Sequence, residues 1–580
     1  MVQENQDLLL ANNNYRLFGI SKSASLEKKW IVIRKRMLWV GLLILMVIVG
    51  SSYQDDSSSF RRVEPEQADL VFAKIFKDSL STKVLKGNNF NGIEYATLQF
   101  YKNNNHVPVW TRYYQLNPNA DTLLKILTNA RAYGLDPSRY GIKDLLALKN
   151  ELQECPNSRE LYYKKYQLEL DLTRAGILFL SHLNKGILTT DSLKIKPNMA
   201  DYWENTSAWL NESVGDSIFS DHFLSIQPSG FMYNRLQKGL ELFLAKADLE
   251  DEEITLADYD GDSIACIKAV KNLLCKYGYL QKVRKDDSVY YTNALKKFQR
   301  FHGLQEDGKI GKKTFRALQL SNLDRFEMAA INLERLRLEH NKKGNYLLVN
   351  IPSYKLRVVE EDLPKRIYKV IVGNPNTPTP LLESKIEEII SFPNWYVPSS
   401  ITRNEILPKL KKDSTYLERM NFSLLDGNRQ PVDPASLDLE KFDAQNFNYK
   451  ITQEPSRGNS LGVIKFLFPN KYSVYLHDTP SKYLFNKDIR AFSHGCLRLE
   501  NPAELAKYLL DKEEDKSLKN KLKASLENER KKYFRLSKPM DIIVRYYTCE
   551  GDDENNLYFY NDIYARDRVL AQKIFDKENN

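Results

Sequence analysis

The chain has 580 residues, too many for one ordinary hydrophobic core, and this length predicts about three or four domains. The 85 Lys and Arg are nearly matched by 75 Asp and Glu, which leaves a formal net charge of +10 and no sustained basic block. Nucleic acid is therefore not an expected partner. Five cysteines in this length exclude a fold that depends on a disulfide framework.

An apolar segment near the N terminus predicts that the rest of the chain is exported. Residues 37–50 carry no charge, and the three basic residues 34–36 come directly before them, which holds that end in the cytoplasm. We expect a cytoplasmic segment at 1–36, a transmembrane signal anchor at 37–53 and a Ser-rich linker at 54–66. A cleaved signal peptide is the alternative, and it exports the same residues. A buried core helix fits the basic flank less well.

Residues 67–250 have apolar positions at helical spacing and predict a helical domain. The segment that begins at Asp121 shows this pattern after a candidate capping aspartate, and residues 168–183 repeat it. Gly134, followed shortly by a proline, predicts the end of a helix and then a turn. No catalytic constellation is visible in this region.

Residues 262–320 predict a small separate module of three helices. One apolar stripe starts at Ile264 and a second at Ala294, and a third helix is expected from about Thr314. The phrase FQRFHGLQEDGKIGKKTFRAL at 298–318 resembles the three-helix peptidoglycan-binding domain of wall hydrolases and transpeptidases. That resemblance implies contact with glycan or stem peptide.

From about residue 345 the pattern changes to that of strands, as apolar or alternating runs bounded by turn residues. These runs lie at 346–351, 368–372, 386–391, 462–468, 472–477, 542–547 and 557–560. Between the third and the fourth run, residues 400–450 are polar, charged and partly helical, with few strand signals. We interpret them as an insertion that forms a lid over a site. A helix is expected at 502–510.

The residues that carry chemistry lie in two short motifs of this strand region. His477 ends an apolar run, so a strand would hold it rigidly, and Cys496 follows Ser493, His494 and Gly495. A cysteine enzyme attacks as the thiolate, and a neighbouring imidazole takes the proton and stabilises a thiolate–imidazolium pair. Gly495 lets the backbone approach a substrate closely, and N–H groups there would face a developing oxyanion.

The residues alone leave other interpretations open. His477, His494 and Cys496 are also ligand types for zinc, but two of them are only two residues apart and no CxxC or HExxH motif is present. Asp478 follows His477 directly, so on a strand its side chain would point to the other face. We expect a backbone carbonyl to orient the imidazole, and we expect no metal and no cofactor.

The stretch from Asn459 to Leu509 resembles the catalytic core of L,D-transpeptidases, the enzymes that cross-link peptidoglycan through a cysteine. The signature of that family is a His, a spacer of fourteen to seventeen residues, Ser/Thr-His-Gly-Cys, a variable residue, and Asn or Arg. Here His477 is followed by fifteen residues, then by 493–496, a leucine and Arg498. The phrase GNSLGVIKFLFPNKYSVYLHDTPSKYLF also resembles the large Gram-negative members, and the upstream phrase SFPNWYVPSSITRNEI resembles the family's strand and loop before the lid.

This resemblance implies a role for each matching residue. Cys496 would be the nucleophile, and His477 would be the proton acceptor and donor. Supporting or oxyanion roles would fall to Ser493, His494, Gly495 and Arg498, and substrate binding to Tyr475, Asn459 and Trp395.

Taken together, the patterns predict a multidomain α+β fold. It would have a helical scaffold domain at 67–250, a three-helix peptidoglycan-binding-like module at 262–320, and a mainly-β catalytic domain at 345–510 with the lid at 400–450. Residues 511–580 would complete the scaffold and catalytic parts. The resemblance implies a single-pass protein of the inner membrane with its catalytic region in the periplasm. Its partners would be stem peptides and glycan, that membrane, and other wall-synthesis enzymes.

The reaction implied by the resemblance is the formation of 3→3 cross-links between stem peptides, with release of D-Ala. An L,D-carboxypeptidase or endopeptidase would use the same Cys and His but give the acyl group to water. A wall-binding scaffold with a degenerate catalytic domain is the non-enzymatic alternative, and the intact motif argues against it. A papain-like protease has its Cys before its His, which is the opposite order.

Overall fold

A computed structural model shows a chain whose first half is helical and whose second half is built on one large sheet. It describes residue 74 and residues 92–112, 115–154, 159–188, 200–250, 264–281, 288–339, 342–443 and 445–575. The predicted cytoplasmic segment, anchor and linker lie outside these residues. Within the described part of the chain, no helix is both long enough and apolar enough to cross a membrane.

Helices form the first part of the fold, and all but the last of them share one core. They are α1 (Gly92–Asn103), α2 (Pro118–Thr128), α3 (Ile142–Glu154), α4 (Arg159–Lys185), α5 (Ala200–Gly215), α6 (Phe219–Leu224) and α7 (Phe231–Leu244). Between α1 and α2, the strands β1 (Thr111–Arg112) and β2 (Gln115–Leu116) form a two-stranded antiparallel sheet. Apolar side chains of these elements pack around Trp110 and Phe179, which are fully buried. The predicted helical region is therefore confirmed.

Helix α2 begins earlier than the sequence pattern predicted. Its N-cap is Asn117, whose side chain accepts a backbone N–H of the first turn, and Pro118 is the first helical residue. Asp121 lies in that first turn and does not cap the helix. Asparagine is among the best N-caps and proline is pre-set for the first position, so this pair determines where the helix starts. The prediction at Gly134 is confirmed, since its φ of 66° ends a short 3-10 turn.

The three helices predicted for the small module are confirmed. They are α8 (Ile264–Lys276), α9 (Ser288–Phe301) and α10 (Lys312–Leu318). They enclose a separate core around Leu295 and Phe298. The buried Gln299 donates from Nε2 to Asp307 Oδ1 at 2.8 Å, and its Oε1 accepts from Gly308 N at 2.9 Å. This amide fixes the turn between the second and third helices.

Helix α11 (Asn322–Leu338) follows the module and is buried along almost its whole length. A capping box starts it: the Ser321 hydroxyl accepts from Asp324 N at 3.0 Å, and the Asp324 carboxylate accepts from Ser321 N at 2.8 Å. A helix that is buried on every side needs partners on every side. Here they are the scaffold helices and the C-terminal segment described below.

A nine-stranded sheet dominates the second half. The strands from residue 346 onward are β3 (Tyr346–Asn350), β4 (Lys355–Glu360), β5 (Leu363–Gly373), β6 (Leu382–Ser391), β7 (Trp395–Tyr396), β8 (Phe422–Leu425), β9 (Lys450–Gln453), β10 (Ile464–Leu467), β11 (Leu476–His477), β12 (Ala491–Ser493), β13 (Leu497–Leu499), β14 (Lys532–Arg545), β15 (Cys549–Gly551) and β16 (Leu557–Phe559). The order in the large sheet is β12-β5-β13-β11-β10-β6-β14-β3-β4. The multidomain α+β class is thereby confirmed.

The insertion between β6 and β10 has its own sheet and core. Strands β7, β9 and β8 form a three-stranded antiparallel sheet. A helical run, α12, combines Ser399–Ile401, a π-helical turn at Thr402–Ile406 and Leu407–Lys412, and α13 is Tyr416–Arg419. Apolar residues around Leu410 and Phe447 fill the space between them. The sequence predicted few strands in this region, whereas the structure has a three-stranded sheet there. Its strands have only two to four residues, too few to show an alternating pattern.

One face of the large sheet is covered by two helices, α14 (Pro502–Asp511) and α15 (Ser517–Glu527). The helix predicted at 502–510 is α14. Leu476 and Leu497, on neighbouring strands, are fully buried in the core on this face. Side chains next to them in sequence must therefore point to the opposite face, because strand residues alternate.

Strand β11 is shorter than the run predicted at 472–477. The Asn470 side chain explains the difference, since its Oδ1 accepts from Tyr472 N at 3.1 Å and Val474 N at 3.0 Å. Its Nδ2 donates to the carbonyl of Val474 at 2.7 Å. Ser473 has a φ of 55° within this loop. A local asparagine turn thus takes the backbone groups that a longer strand would have paired with its neighbour.

The C-terminal residues connect all of these parts. Strand β14 lies inside the large sheet between β6 and β3. Strands β15 and β16 form a hairpin that shares a core with α7 and α11, and α16 (Arg566–Ile574) follows. Asp567 of α16 forms a buried ion pair with Arg335 at 2.6 Å and accepts a hydrogen bond from Thr548 at 2.6 Å.

His302 lies where the small module meets this hairpin. Its ring stacks on Phe298 with centroids 3.9 Å apart and lies 5.6 Å from the ring of Phe559. Nδ1 is 2.8 Å from the carbonyl of Phe298. Burial, and next the nearby charge of Arg325, lower the pKa of His302 to about 3. The imidazole is therefore neutral in the folded protein at neutral pH.

We expect His302 to make the fold sensitive to acid. In the unfolded chain the pKa is about 6.5, so below that pH the unfolded state binds one more proton. Stability is complete above pH 6.5 and is lost as the pH falls towards 3, by about 2 kcal/mol at pH 5. His302→Phe should remove this component, measured as the change in urea unfolding free energy between pH 7 and pH 5. His222→Phe is the control, and an unchanged pH dependence in His302→Phe would contradict the assignment.

Candidate active site

Sheet register places the predicted catalytic residues on one face. His477 pairs with Lys465 across β10–β11 and with Arg498 across β11–β13, and residues paired in this way share a face. Leu476 pairs with Leu497 in the core, so their neighbours His477 and Cys496 project from the other side. That side is the one that the insertion contacts.

The His477 imidazole is oriented by the backbone. It is buried, and Nδ1 lies 2.5 Å from the carbonyl oxygen of Asp478. A carbonyl oxygen can only accept, so Nδ1 carries the hydrogen and Nε2 carries the lone pair of the neutral ring. The expectation that a carbonyl orients this histidine is confirmed. The Asp478 carboxylate binds elsewhere, accepting from Val463 N at 2.9 Å and pairing with Lys482.

Electrostatics keep both members of the Cys–His pair neutral at rest. Burial, and next the charge of Arg498, lower the pKa of His477 to about 3. Burial raises the pKa of the Cys496 thiol, although Tyr475, Lys465 and Arg498 act in the opposite direction. Both groups are therefore uncharged before the reaction, and the thiolate–imidazolium pair has to form during it. A neutral imidazole on the same face as a neutral thiol can act as a general base when the thiol attacks.

Tyr475 and Trp395 lie at the same site. The Tyr475 ring is 5.5 Å from the His477 ring. Burial, and next the Cys496 charge, raise the pKa of Tyr475, and Trp395 acts to lower it. Trp395 belongs to β7 of the insertion, so groups of the insertion and of the cysteine loop both act on the Tyr475 hydroxyl. These are two of the three residues for which substrate binding was predicted.

The loop that carries Cys496 is held by its own serine. Ser493 Oγ donates to the carbonyl of Cys496 at 2.5 Å and accepts from Gly495 N at 3.2 Å. Gly495 has a φ of 104°, a conformation that side chains other than glycine rarely adopt. Its carbonyl accepts from Thr379 Oγ1 at 2.9 Å. The loop is therefore held by the hydrogen bonds of Ser493 inside it and by Thr379 in the segment after β5.

Arg498 presents a cation to the site. It is half-buried, and burial lowers its pKa while the charge of Cys496 acts in the opposite direction. Among the described residues its Nε has no hydrogen-bond partner. A buried donor left unpaired is costly unless a ligand completes it. Arg498 is thus suited to bind an anionic or carbonyl group of a substrate.

The remaining predicted site residues have different surroundings. His494 is exposed, and Nε2 forms an ion pair with Glu405 in the π-helical turn of α12. Asn459 is fully buried and its side chain is occupied by the backbone: Nδ2 donates to the carbonyls of Pro393 and Gln453, and Oδ1 accepts from a main-chain N–H. Among the described residues, no group of three His, Cys, Asp or Glu side chains is placed to hold a metal.

Sequence patterns missed two parts of the site. Lys465 is the single charged residue of β10, and a lone lysine in an otherwise apolar strand was the signal that could have revealed it. Tyr564 is far from the motifs in sequence, and no pattern pointed to it. Its hydroxyl donates to the carbonyl of Gly373 at 2.7 Å and accepts from Thr379 N at 3.1 Å. Thr379 in turn binds the carbonyl of Gly495.

We expect Tyr564 to act as a positioning residue for the cysteine loop. Tyr564→Phe removes both hydrogen bonds and frees the Thr379 segment, so kcat should fall about 10-fold because small displacements of reacting groups are costly. The loss of unfolding free energy should be near 1 kcal/mol. Steady-state kinetics and urea unfolding measure the two effects. The exposed Tyr533→Phe is the control, and equal kcat for Tyr564→Phe and wild type would contradict the role.

Comparison with known families assigns the domains. The family model of the L,D-transpeptidase catalytic domain matches residues 344–518. The chain contains an L,D-transpeptidase catalytic domain. A scaffold-domain model matches residues 96–240, and the model named "Putative peptidoglycan binding domain" matches residues 266–318. The resemblance drawn from the motifs is thereby confirmed.

Individual relatives agree with this assignment. A Haemophilus influenzae protein named "Putative L,D-transpeptidase" is 35% identical over 242 residues, which are 42% of this chain and 48% of that protein. The chain thus spans about half the length of this curated relative.

Two crystal structures of L,D-transpeptidases were also matched. The Stackebrandtia nassauensis structure has 15% identity and a TM-score of 0.20, and covers 52% of this chain and 96% of that one. The Xylanimonas cellulosilytica structure, of residues 123–326, has 13% identity and a TM-score of 0.17, and covers 51% of this chain and 100% of that one. The assignment depends on the family models and not on these two scores.

Proposed function

We propose that the protein forms 3→3 cross-links in peptidoglycan through an acyl-enzyme on Cys496. The observation that carries this proposal is the shared face of His477, Cys496 and Arg498 within an L,D-transpeptidase catalytic domain. The donor would be a tetrapeptide stem that ends in D-Ala. The acceptor would be the side-chain amine of a second stem.

In the first step, Cys496 Sγ attacks the carbonyl carbon at the L-centre that precedes D-Ala. His477 Nε2 takes the thiol proton and passes it to the nitrogen of D-Ala as the C–N bond breaks. D-Ala leaves as an amine, and a thioester joins the remaining tripeptide to Cys496. The Gly495 N–H is held by Ser493 Oγ at 3.2 Å, so the backbone N–H of Cys496 would stabilise the oxyanion, where one such donor contributes about 3–4 kcal/mol.

In the second step, the acceptor amine attacks the thioester. His477 removes a proton from the amine and returns it to the sulfur as the C–S bond breaks, so the enzyme ends in its starting state. The pair is neutral before and after the cycle, in accord with the lowered pKa of His477 and the raised pKa of Cys496. An insertion in contact with the site through Trp395 and Glu405 would limit access of water and favour the amine.

We propose that residues 37–53 anchor the chain in the inner membrane and that the catalytic region works in the periplasm. The helices that match the peptidoglycan-binding family would hold glycan or stem peptide near the site. Carbonate extraction of membranes should leave the full chain in the pellet, and its release would contradict the anchor. Copurification of wall-synthesis enzymes with the full chain would identify partners.

Product analysis tests the proposed reaction. The full chain is incubated with disaccharide-tetrapeptide, beside Cys496→Ala and the control Cys275→Ala. We expect a dimer that lacks one D-Ala from wild type and from Cys275→Ala, and none from Cys496→Ala. Tripeptide without dimer would mean that water is the acceptor and would replace the proposal with a carboxypeptidase. No turnover by any of the three would favour a wall-binding scaffold.

A further inference from the structure

A lysine outside the His477 and Cys496 motifs lies on the same face of the sheet as the cysteine. Lys465 in β10 is paired with His477 in register, and therefore lies on the same face of the sheet as His477 and Cys496. Its Nζ is 3.7 Å from the centre of the Tyr475 ring, directly over the aromatic face. The charge of Cys496 raises the pKa of the hydroxyl on that ring.

The charge of Lys465 is not balanced by a carboxylate. The side chain is half-buried, and no ion pair joins it to an Asp or Glu of the described residues. Burial lowers its pKa, and the charge of Cys496 is the one influence that raises it. A half-buried ammonium without a carboxylate reduces stability, and such groups concentrate at functional sites. The Lys465 charge therefore does not contribute to the stability of β10, and a functional role explains its presence better.

Two cations flank His477 from the strands on either side of β11. Lys465 is on β10, on one side of β11, and Arg498 is on β13, on the other side. Both lower the pKa of His477 and both act to lower that of Cys496. They therefore keep the base unprotonated and reduce the cost of forming the sulfur anion. These are the two requirements for proton transfer from Cys496 to His477.

We propose that Lys465 stabilises the Cys496 thiolate through its ammonium charge, together with the hydroxyl of Tyr475. In this step the proton moves from Sγ to Nε2 of His477, and the electron pair stays on sulfur. Cys496 becomes a thiolate with one negative charge and His477 becomes an imidazolium with one positive charge. No oxidant or reductant takes part. Lys465 remains protonated throughout and offsets the new negative charge. This role rests on the proposed nucleophile, Cys496.

Alkylation of Cys496 tests this role without a peptidoglycan substrate. The full chain is treated with iodoacetamide between pH 5 and pH 11, and the Cys496 peptide is quantified by mass spectrometry, which separates it from the other cysteines. The midpoint of the rate profile reports the pKa of the thiol. Lys465→Met and Lys465→Gln should raise this midpoint by about one pH unit, because a neighbouring cation favours the thiolate by that order.

Two further variants separate charge from packing. Lys465→Arg keeps the cation and should keep the wild-type midpoint. Lys471→Met removes a lysine that lies 5.2 Å from the Tyr472 ring, at the hairpin turn outside the site, and should also keep it. An unchanged midpoint in both neutral Lys465 variants, or an equal rise in Lys465→Arg, would overturn the proposal. The alkylation assay measures the thiol pKa and uses no peptidoglycan substrate. Its result therefore does not depend on whether the wild-type protein forms cross-links, and the product analysis above tests that reaction on its own.

Discussion

Replacing His477 with glutamine is expected to lower kcat for D-Ala release by about 10²–10⁴-fold, the usual contribution of a general acid–base residue. Glutamine can keep a hydrogen bond to the carbonyl of Asp478, 2.5 Å from Nδ1, but it cannot accept the thiol proton. Both steps of the proposed cycle would then lack their proton carrier. The measurement is the rate of D-Ala release by the full chain under saturating disaccharide-tetrapeptide.

The matched control for this prediction is His222→Gln, in the scaffold helices, which should retain wild-type kcat. Cys496 should still react with iodoacetamide in His477→Gln, since that variant loses the base and not the nucleophile. A His477→Gln enzyme that keeps more than a tenth of the wild-type kcat would show that another group carries the proton.

Replacing Gly495 with alanine is expected to lower kcat by about 10²-fold. Gly495 has a φ of 104°, and a non-glycine residue pays about 1–3 kcal/mol to hold such a conformation. Space is not the constraint, because an added methyl group would meet the carbonyl oxygen of Pro378 at an ordinary 3.7 Å. The loop should relax, displace Cys496 and its neighbouring N–H groups, and so misplace the nucleophile.

Gly427→Ala is the control for that change. Gly427 lies in a turn of the insertion, has no positive φ, and has open space where a methyl group would be added. It should match wild type in kcat and in unfolding free energy. If Gly495→Ala kept wild-type kcat, the backbone conformation of the cysteine loop would have no part in the reaction.

Much of the chemistry was readable from the sequence because it depends on local motifs. His477, Ser493, Gly495, Cys496 and Arg498 were assigned from spacing and resemblance. Sheet register then placed the histidine and the arginine side by side. The carbonyl that orients the imidazole followed from strand alternation alone.

Features that depend on side-chain competition or long-range packing were less predictable. Asn470 ends β11 early through its own hydrogen bonds, and Asn117 with Pro118 starts α2 before Asp121. The strands of the insertion are too short to show alternation. Tyr564 supports the cysteine loop through a hydrogen bond with Thr379, which is 185 residues away in the sequence. No local sequence pattern can reveal a contact over that separation.

The protonation states of the pair also required the fold. The motifs indicated which two residues exchange the proton but not their charges at rest. Burial raises the pKa of Cys496 and lowers that of His477, and it outweighs the effect of the cations on β10 and β13 on the cysteine, so the pair is neutral at rest. The cation on β13 was visible in the motif. The one on β10 became apparent only when register placed Lys465 opposite His477.

The most direct test of the central claim is the mass of the protein during turnover. The full chain is mixed with disaccharide-tetrapeptide, quenched in acid and analysed intact and after digestion. We predict an adduct equal to the donor without its D-Ala, located on Cys496 and absent from Cys496→Ala. Cross-linked product formed without an adduct on Cys496, or the same adduct on Cys496→Ala, would contradict the assignment of Cys496 as the nucleophile.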